Sequence, residues 1–252
     1  MSARRELRVC VLYGERLNIY ADRGNLLVLK QRCRWRGIGW RLRRVTVGDE
    51  LVPGEDDLLY IGGGQDADQR RCADDLVTKA GALGDAADRG AVVLGVCGGY
   101  QLLGHGYETP EVSMPGVGML DATTVATTSD RLVGHAAVEV DLGAGPRLLA
   151  GFENHRGRTT VGPGSDPLGR VVHGFGNNGE DGTEGAVRGS VVGTYLHGPL
   201  LAGNAWFADW LIATALGVSD LAPLDDSFEE RAHADAVERA ASVPPPGRPP
   251  RR

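Results

Sequence analysis

The chain has 252 residues, enough for one large domain or two small ones, and its 42% hydrophobic and 24% charged content is ordinary for a soluble globular protein. A formal net charge of −6 excludes broad nucleic-acid binding, and four scattered cysteines without a CxxC pair exclude a zinc ribbon or a disulfide framework, so no metal is expected. Val9 to Tyr13 is too short for a signal core, and no apolar run approaches the ~20 residues of a membrane span, which makes a reducing cytoplasm the expected compartment.

Arg8 to Tyr13 reads as a first strand, followed by a polar loop over residues 14–25. Leu26 to Trp35 reads as a helix ended by Gly37 and Gly39. Trp40 to Val47 alternates as a second strand, an edge strand given its arginines. Asp57 to Ile61 is a third, running into Gly62-Gly63-Gly64. Three glycines at a strand end leave backbone N–H groups able to approach a ligand. Asp66 or Asp68 is placed to cap a helix reaching about Arg89.

Ala91 to Gln101 is the most informative stretch. Five of its first six residues are apolar and three are β-branched, the composition of a strand buried on both faces. The run stops at Cys97-Gly98-Gly99, and Gln101 begins a helix. A strand, a sharp turn and a helix, with a thiol at the apex, describe a nucleophile elbow. The helix N-terminus behind it favours a thiolate and a developing oxyanion. The other cysteines read as structural: Cys10 and Cys33 in the core, Cys72 at the surface or a packing seam of its helix.

The alternation up to this point predicts an α/β protein with a doubly wound, mostly parallel sheet. After Gly106 the texture becomes β-rich, with short runs at 117–127, 135–140, 149–154, 158–161 and 170–173. Residues 174–185, rich in Gly, Asn and acids, read as a mobile surface loop. Ser190 to Leu196 is another buried strand, ending at His197-Gly198-Pro199. A helix follows over 204–216, with Asn204 as cap and Gly217 past its end. Residues 225–241 form a charged helix, and 243–252, with five prolines, a disordered tail. One domain over residues 1–242 and a tail over 243–252 are therefore expected.

A thiol nucleophile needs a base that takes its proton and later protonates the leaving group. Among six histidines, His197 alone closes an apolar strand as Cys97 does. Neighbouring parallel strands would bring both tips to one sheet edge, where open α/β sheets bind ligands.

The elbow Gly95-Val96-Cys97-Gly98-Gly99-Tyr100-Gln101 and the later Gly193-Thr194-Tyr195-Leu196-His197-Gly198-Pro199 resemble class I glutamine amidotransferases. Gly151 to Thr159 is typical of the branch shared with cobyric acid synthase glutaminase domains. Leu17 to Asn25 and Gly62 to Asp66 narrow the resemblance to the GatD-type glutaminase subunits of lipid II isoglutaminyl synthase, over roughly residues 8 to 217. The resemblance implies that Cys97 forms a glutamyl thioester, that His197 is base and then acid, and that backbone N–H groups of Gly63 and Gly98 hold the oxyanion. It also implies that Arg131 binds the glutamine; its guanidinium fork suits the α-carboxylate. Many class I enzymes carry a carboxylate two residues after the histidine. Here Pro199 stands there, which leaves a dyad, or an orienting group such as Asp22 or Asn18. Glu153-Asn154-His155 is expected either to line the glutamine pocket through its backbone or to be a structural turn.

No Gly-Lys-[Ser/Thr] P-loop and no dinucleotide fingerprint occur in the chain. No cofactor is therefore expected here, and ATP and Mg are expected on a partner. The resemblance implies a MurT-like, Mur-ligase-type synthetase in a heterodimer, amidating the D-glutamate α-carboxyl of lipid II for peptidoglycan synthesis. The alternatives are a glutaminase for another synthetase such as cobyric acid-type amidation, a non-catalytic scaffold of the same fold, and a cysteine peptidase or hydrolase of similar fold.

Overall fold

A computed structural model describes residues 6–19, 23–109, 113–127 and 130–242. The strands are β1 (Glu6–Leu12), β2 (Gly39–Val45), β3 (Leu58–Ile61), β4 (Val92–Val96), β5 (Gly106–Glu108), β6 (Ser113–Pro115) and β7 (Ala122–Ala126). They continue as β8 (Leu132–Val140), β9 (Arg147–His155), β10 (Gly157–Val161), β11 (Gly169–His173), β12 (Thr183–Glu184), β13 (Ala186–Arg188) and β14 (Val191–Thr194). The helices are α1 (Arg23–Trp35), α2 (Asp66–Thr78), α3 (Ala80–Asp88), α4 (Gly98–Leu103), α5 (Ala205–Ala215) and α6 (Ser227–Ala240).

The expected doubly wound sheet is present, six-stranded in the order β13-β14-β4-β3-β1-β2. Its pairs are parallel except β13–β14, and β2 is an edge as its arginines suggested. Strand alternation sorts the core into two halves. Leu7, Val9, Val11, Val92, Leu94 and Val96 pack with α1 and α5, whereas Cys10, Leu12 and Val93 pack with α2 and α3. Cys97, at the tip of β4, touches both halves. The β-rich segment forms two four-stranded sheets, β10-β7-β5-β6 and β12-β11-β8-β9.

Several expectations are corrected. The helix over 66–89 is two helices, broken at Lys79, which ends α2 and starts α3. Gln65, not Asp66 or Asp68, is the cap position of α2, and no side chain caps it. The run 117–127 is strand only over β7. Cys72 is fully buried on α2. Asn204 occupies the cap position of α5, but its side chain bridges to β9 instead, accepting from Ala150 N at 2.9 Å and donating to Ala150 O at 2.7 Å.

The largest correction concerns residues 174–185, which are pinned rather than loose at the surface. Glu153 is fully buried and accepts from the N–H groups of Phe175 and Gly176 at 2.6 and 2.8 Å. Asn177, also fully buried, exchanges hydrogen bonds with Gly185 at 2.9 and 3.0 Å. Glu184 accepts from Thr194 Oγ1 and Tyr195 N. Asn177 and Glu184 face inward to backbone partners while Glu180 and Asp181 stay exposed, so the composition of the segment misleads. The tail expected over 243–252 lies outside the described residues.

Candidate active site

Cys97 carries the strain expected of an elbow, with φ 51° and ψ −105°. A non-glycine residue there costs of order 1–3 kcal/mol, and the surrounding structure over-determines it. Cys97 N donates to Thr194 O at 2.8 Å, and Gln101 N donates to Cys97 O at 3.0 Å. The neighbouring glycines serve close approach, not unusual angles. A Cβ on Gly99 would sit 2.2 Å from Ile61 O. A Cβ on Gly98 would meet Gln69 Oε1 at 2.9 Å and Gly64 N at 3.2 Å. The elbow is thus wedged against the glycine-rich end of β3, beneath the N-terminus of α2.

The adjacent strand brings the histidine. β4 and β14 pair in parallel with Val96 opposite Thr194, so Cys97 and His197 leave neighbouring strand tips at one edge. His197 is then fixed to β9 by two backbone bonds, 2.8 Å to Phe152 O and 3.2 Å from Phe152 N. Gly198, at φ 113°, turns the chain away in a conformation that disfavours other residues.

The β14 tip is braced from beneath. Tyr195 stacks on His155 with ring centroids 3.6 Å apart and planes 7° apart. Its hydroxyl meets Thr159 Oγ1 at 2.6 Å and accepts from Gln101 Nε2 at 3.1 Å. Gln101 in turn accepts from Gln69 Nε2 at 2.9 Å. This chain of buried polar groups runs from under the histidine to under the elbow. Burial pushes the Glu184 carboxyl up to about 8, against the hydrogen bonds from Tyr195 and Thr194.

A cavity of about 480 Å³ opens over the two tips, lined by Ile19, Gly64, Gln65, Asp66, Ala67, Cys97, Arg131, Asn154 and His197. It brings Cys97, His197 and Arg131 together. Arg131 immediately precedes β8, and Asn154 holds it: Nε donates to Asn154 Oδ1 at 2.7 Å and Nη2 to Asn154 O at 2.8 Å. Of the expected oxyanion glycines, Gly98 starts α4 beside Gly64 N. Gly63 is buried and its carbonyl accepts from Ile19 N at 3.1 Å, while Gly64, one residue on, lines the cavity. Burial, then His155, then Arg131 hold the His197 imidazole down to about 3, so it is a neutral base at physiological pH. Burial instead pushes the thiols of Cys10 and Cys33 up to about 12 and that of Cys72 to about 11, where they are inert.

Two sequence suggestions for an orienting group fare differently. Asn18 Oδ1 is occupied by the N–H of Arg23 at 3.0 Å. Asp22 lies outside the described residues. Asn154 was legible as a strand residue but not as the partner of Arg131. Alternation along β9 was the available signal: Glu153 and His155 face inward, so Asn154 faces the cavity. The first turn of α2, with Gln65 and Asp66, is a second contribution that sequence reasoning took only as a helix start.

Residues 8–205 match the family described as CobB/CobQ-like glutamine amidotransferase domain. The chain is 37% identical over 84% of its length to the lipid II isoglutaminyl synthase (glutamine-hydrolyzing) subunit GatD of Streptococcus pneumoniae, covering 81% of that protein. It is also 37% identical to GatD of Staphylococcus aureus, over 83% of this chain and 84% of that one. A cobyric acid synthase of Pelotomaculum thermopropionicum is 36% identical over 78% of this chain, which spans only 38% of that enzyme. Among solved structures, PurLQS from Thermotoga maritima shares the fold with a TM-score of 0.56 at 16% identity, covering 92% of this chain and 99% of that one. With a thiol and an imidazole carried to adjoining strand tips, and with matches spanning most of its length, the chain belongs to the CobB/CobQ-like glutamine amidotransferases, beside the GatD subunits.

Proposed function

We propose that the chain is the glutaminase subunit of a cytoplasmic two-subunit synthetase that amidates the D-glutamate α-carboxyl of lipid II. The observation that carries this reading is the single cavity joining Cys97, His197 and Arg131. The match to GatD proteins over more than four-fifths of their length favours lipid II over a corrin acceptor. Among the described residues, no helix is long and apolar enough to cross a membrane.

In this mechanism Arg131 takes the α-carboxylate of L-glutamine and aims its carboxamide at Cys97. His197 removes the thiol proton as sulfur bonds to the carboxamide carbon. The oxyanion that forms lies against backbone N–H groups of the Gly63–Gly64 segment and Gly98, at the N-terminus of α4. Collapse breaks the C–N bond, and His197 passes its proton to the departing ammonia. Water, deprotonated by His197, then cleaves the thioester to glutamate and free thiol. The ammonia would pass to a MurT-like partner, where bound ATP and Mg would supply the activation of the acceptor carboxyl.

The test is reconstitution with a MurT-like subunit, lipid II, ATP and Mg. Glutamine should support isoglutamine formation, and omission of this chain should leave only amidation from added ammonium salt. A pair that amidates from ammonium but not from glutamine would overturn the proposal. The depressed His197 pKa adds an expected pH profile. Its imidazole is the free base above about 3, so the acid limb of kcat/KM should fall well below the ordinary histidine value of 6.5. An acid limb near 6.5 would show that His197 titrates normally in the free enzyme.

A further inference from the structure

The cavity carries two side chains of opposite fixed charge, Arg131 and Asp66. They belong to different parts of the fold: Arg131 immediately before β8, Asp66 in the first turn of α2. Asn154 fixes Arg131 along one edge of its guanidinium. Asp66 is exposed to the cavity, and among the described residues its carboxylate accepts no hydrogen bond and joins no ion pair. Its neighbour Asp68 differs, meeting Arg16 at 3.4 Å and lying outside the cavity lining. Both acids complement the helix dipole, so that effect does not explain why only one of them lines the cavity.

A free α-amino acid presents an ammonium and a carboxylate on one carbon. A cavity lined by an acid, a guanidinium and a thiol offers one partner to each of these two groups and a third to a carboxamide. We propose that Asp66 receives the α-ammonium group of the bound amino acid while Arg131 holds its α-carboxylate, so that the cavity selects free glutamine over amides lacking that ammonium. This rests on glutamine being the substrate. A carboxylate placed for an ammonium makes the deaminated analogue a poor ligand, because the acid is then covered without a partner.

The experiment uses the complex with its synthetase subunit. Steady-state constants are measured for L-glutamine, and an inhibition constant for glutaramate, which is glutamine without its α-amino group. Asp66→Asn should raise KM for glutamine at least about tenfold with kcat within about twofold. It should leave the glutaramate inhibition constant unchanged or lower it, since the unmatched carboxylate is gone. Asp68→Asn should change neither constant. If Asp66→Asn weakens glutamine and glutaramate equally, or weakens neither, the ammonium assignment is wrong while the glutaminase reading stands. If the wild-type complex releases no ammonia from glutamine, both fall together.

Discussion

Cys97→Ala is expected to lower ammonia release from glutamine by at least about 10³-fold, because no other thiol reaches the cavity. Cys10, Cys33 and Cys72 are fully buried, and burial raises their pKa, so none can substitute. An electrophilic glutamine analogue should accordingly label Cys97 alone. The alanine variant should melt close to the wild type, since alanine suffers the same backbone strain at φ 51°. Cys97→Gly separates chemistry from strain. Glycine relieves roughly 1–3 kcal/mol of conformational cost and returns about 0.5–1 kcal/mol as chain entropy. The glycine variant should therefore be equally inactive yet melt a few degrees higher than the alanine variant. Retained turnover in Cys97→Ala would remove the thiol from the mechanism. Equal melting of the two variants would show that the elbow stores no strain.

The largest effect on stability is expected at Arg32, far from the chemistry. Its guanidinium is buried, with Nε and Nη2 donating to Asp209 at 2.5 and 2.7 Å. Nη1 and Nη2 donate to Asp226 at 2.9 and 2.7 Å. Burial works against its charge, but these bonds outweigh it and hold the group protonated. Arg36 completes the cluster with bonds of 3.0 and 2.6 Å to Asp209. The cluster ties α1 to α5 and to the residue preceding α6. Removing the central cation strands Asp226 without its partner. Arg32→Ala should cost about 3–5 kcal/mol in urea unfolding, the usual penalty for breaking a buried pair from one side. Arg32→Lys should fall between, because an ammonium cannot serve two carboxylates through parallel forks. A loss below about 1 kcal/mol for Arg32→Ala would show that the cluster is solvated in solution. Activity at low temperature should survive both changes.

The two strands that carry the candidate dyad were legible because each is an apolar run that stops abruptly at a reactive side chain followed by glycine. Parallel pairing of two such runs forces their tips together, so Cys97 and His197 read as a pair from the sequence alone. Arg131 came from resemblance alone; nothing in a polar loop marks which guanidinium reaches a pocket 34 residues away from the thiol in sequence. Residues 174–185 were misread for a physical reason. Glycine, asparagine and acids signal a solvated loop only when their polar atoms meet water. Here Asn177 and Glu184 turn inward and take backbone donors, and Glu153 of β9 takes two more from the segment, an arrangement with no periodicity to betray it. The break at Lys79 was hidden similarly, since two helices in close succession leave one continuous pattern.

Cys97 touches the packing on both faces of the central sheet. Its sulfur is in effect the tip of a wedge clamped by two independent halves of the molecule. A void opened on either face, by shortening Leu12 or Val96 for instance, lets the wedge tilt without touching any group that handles glutamine. Drift of the nucleophile by a fraction of an ångström is thus a shared readout of two otherwise separate cores, and lost packing on opposite sides should converge on one kinetic symptom.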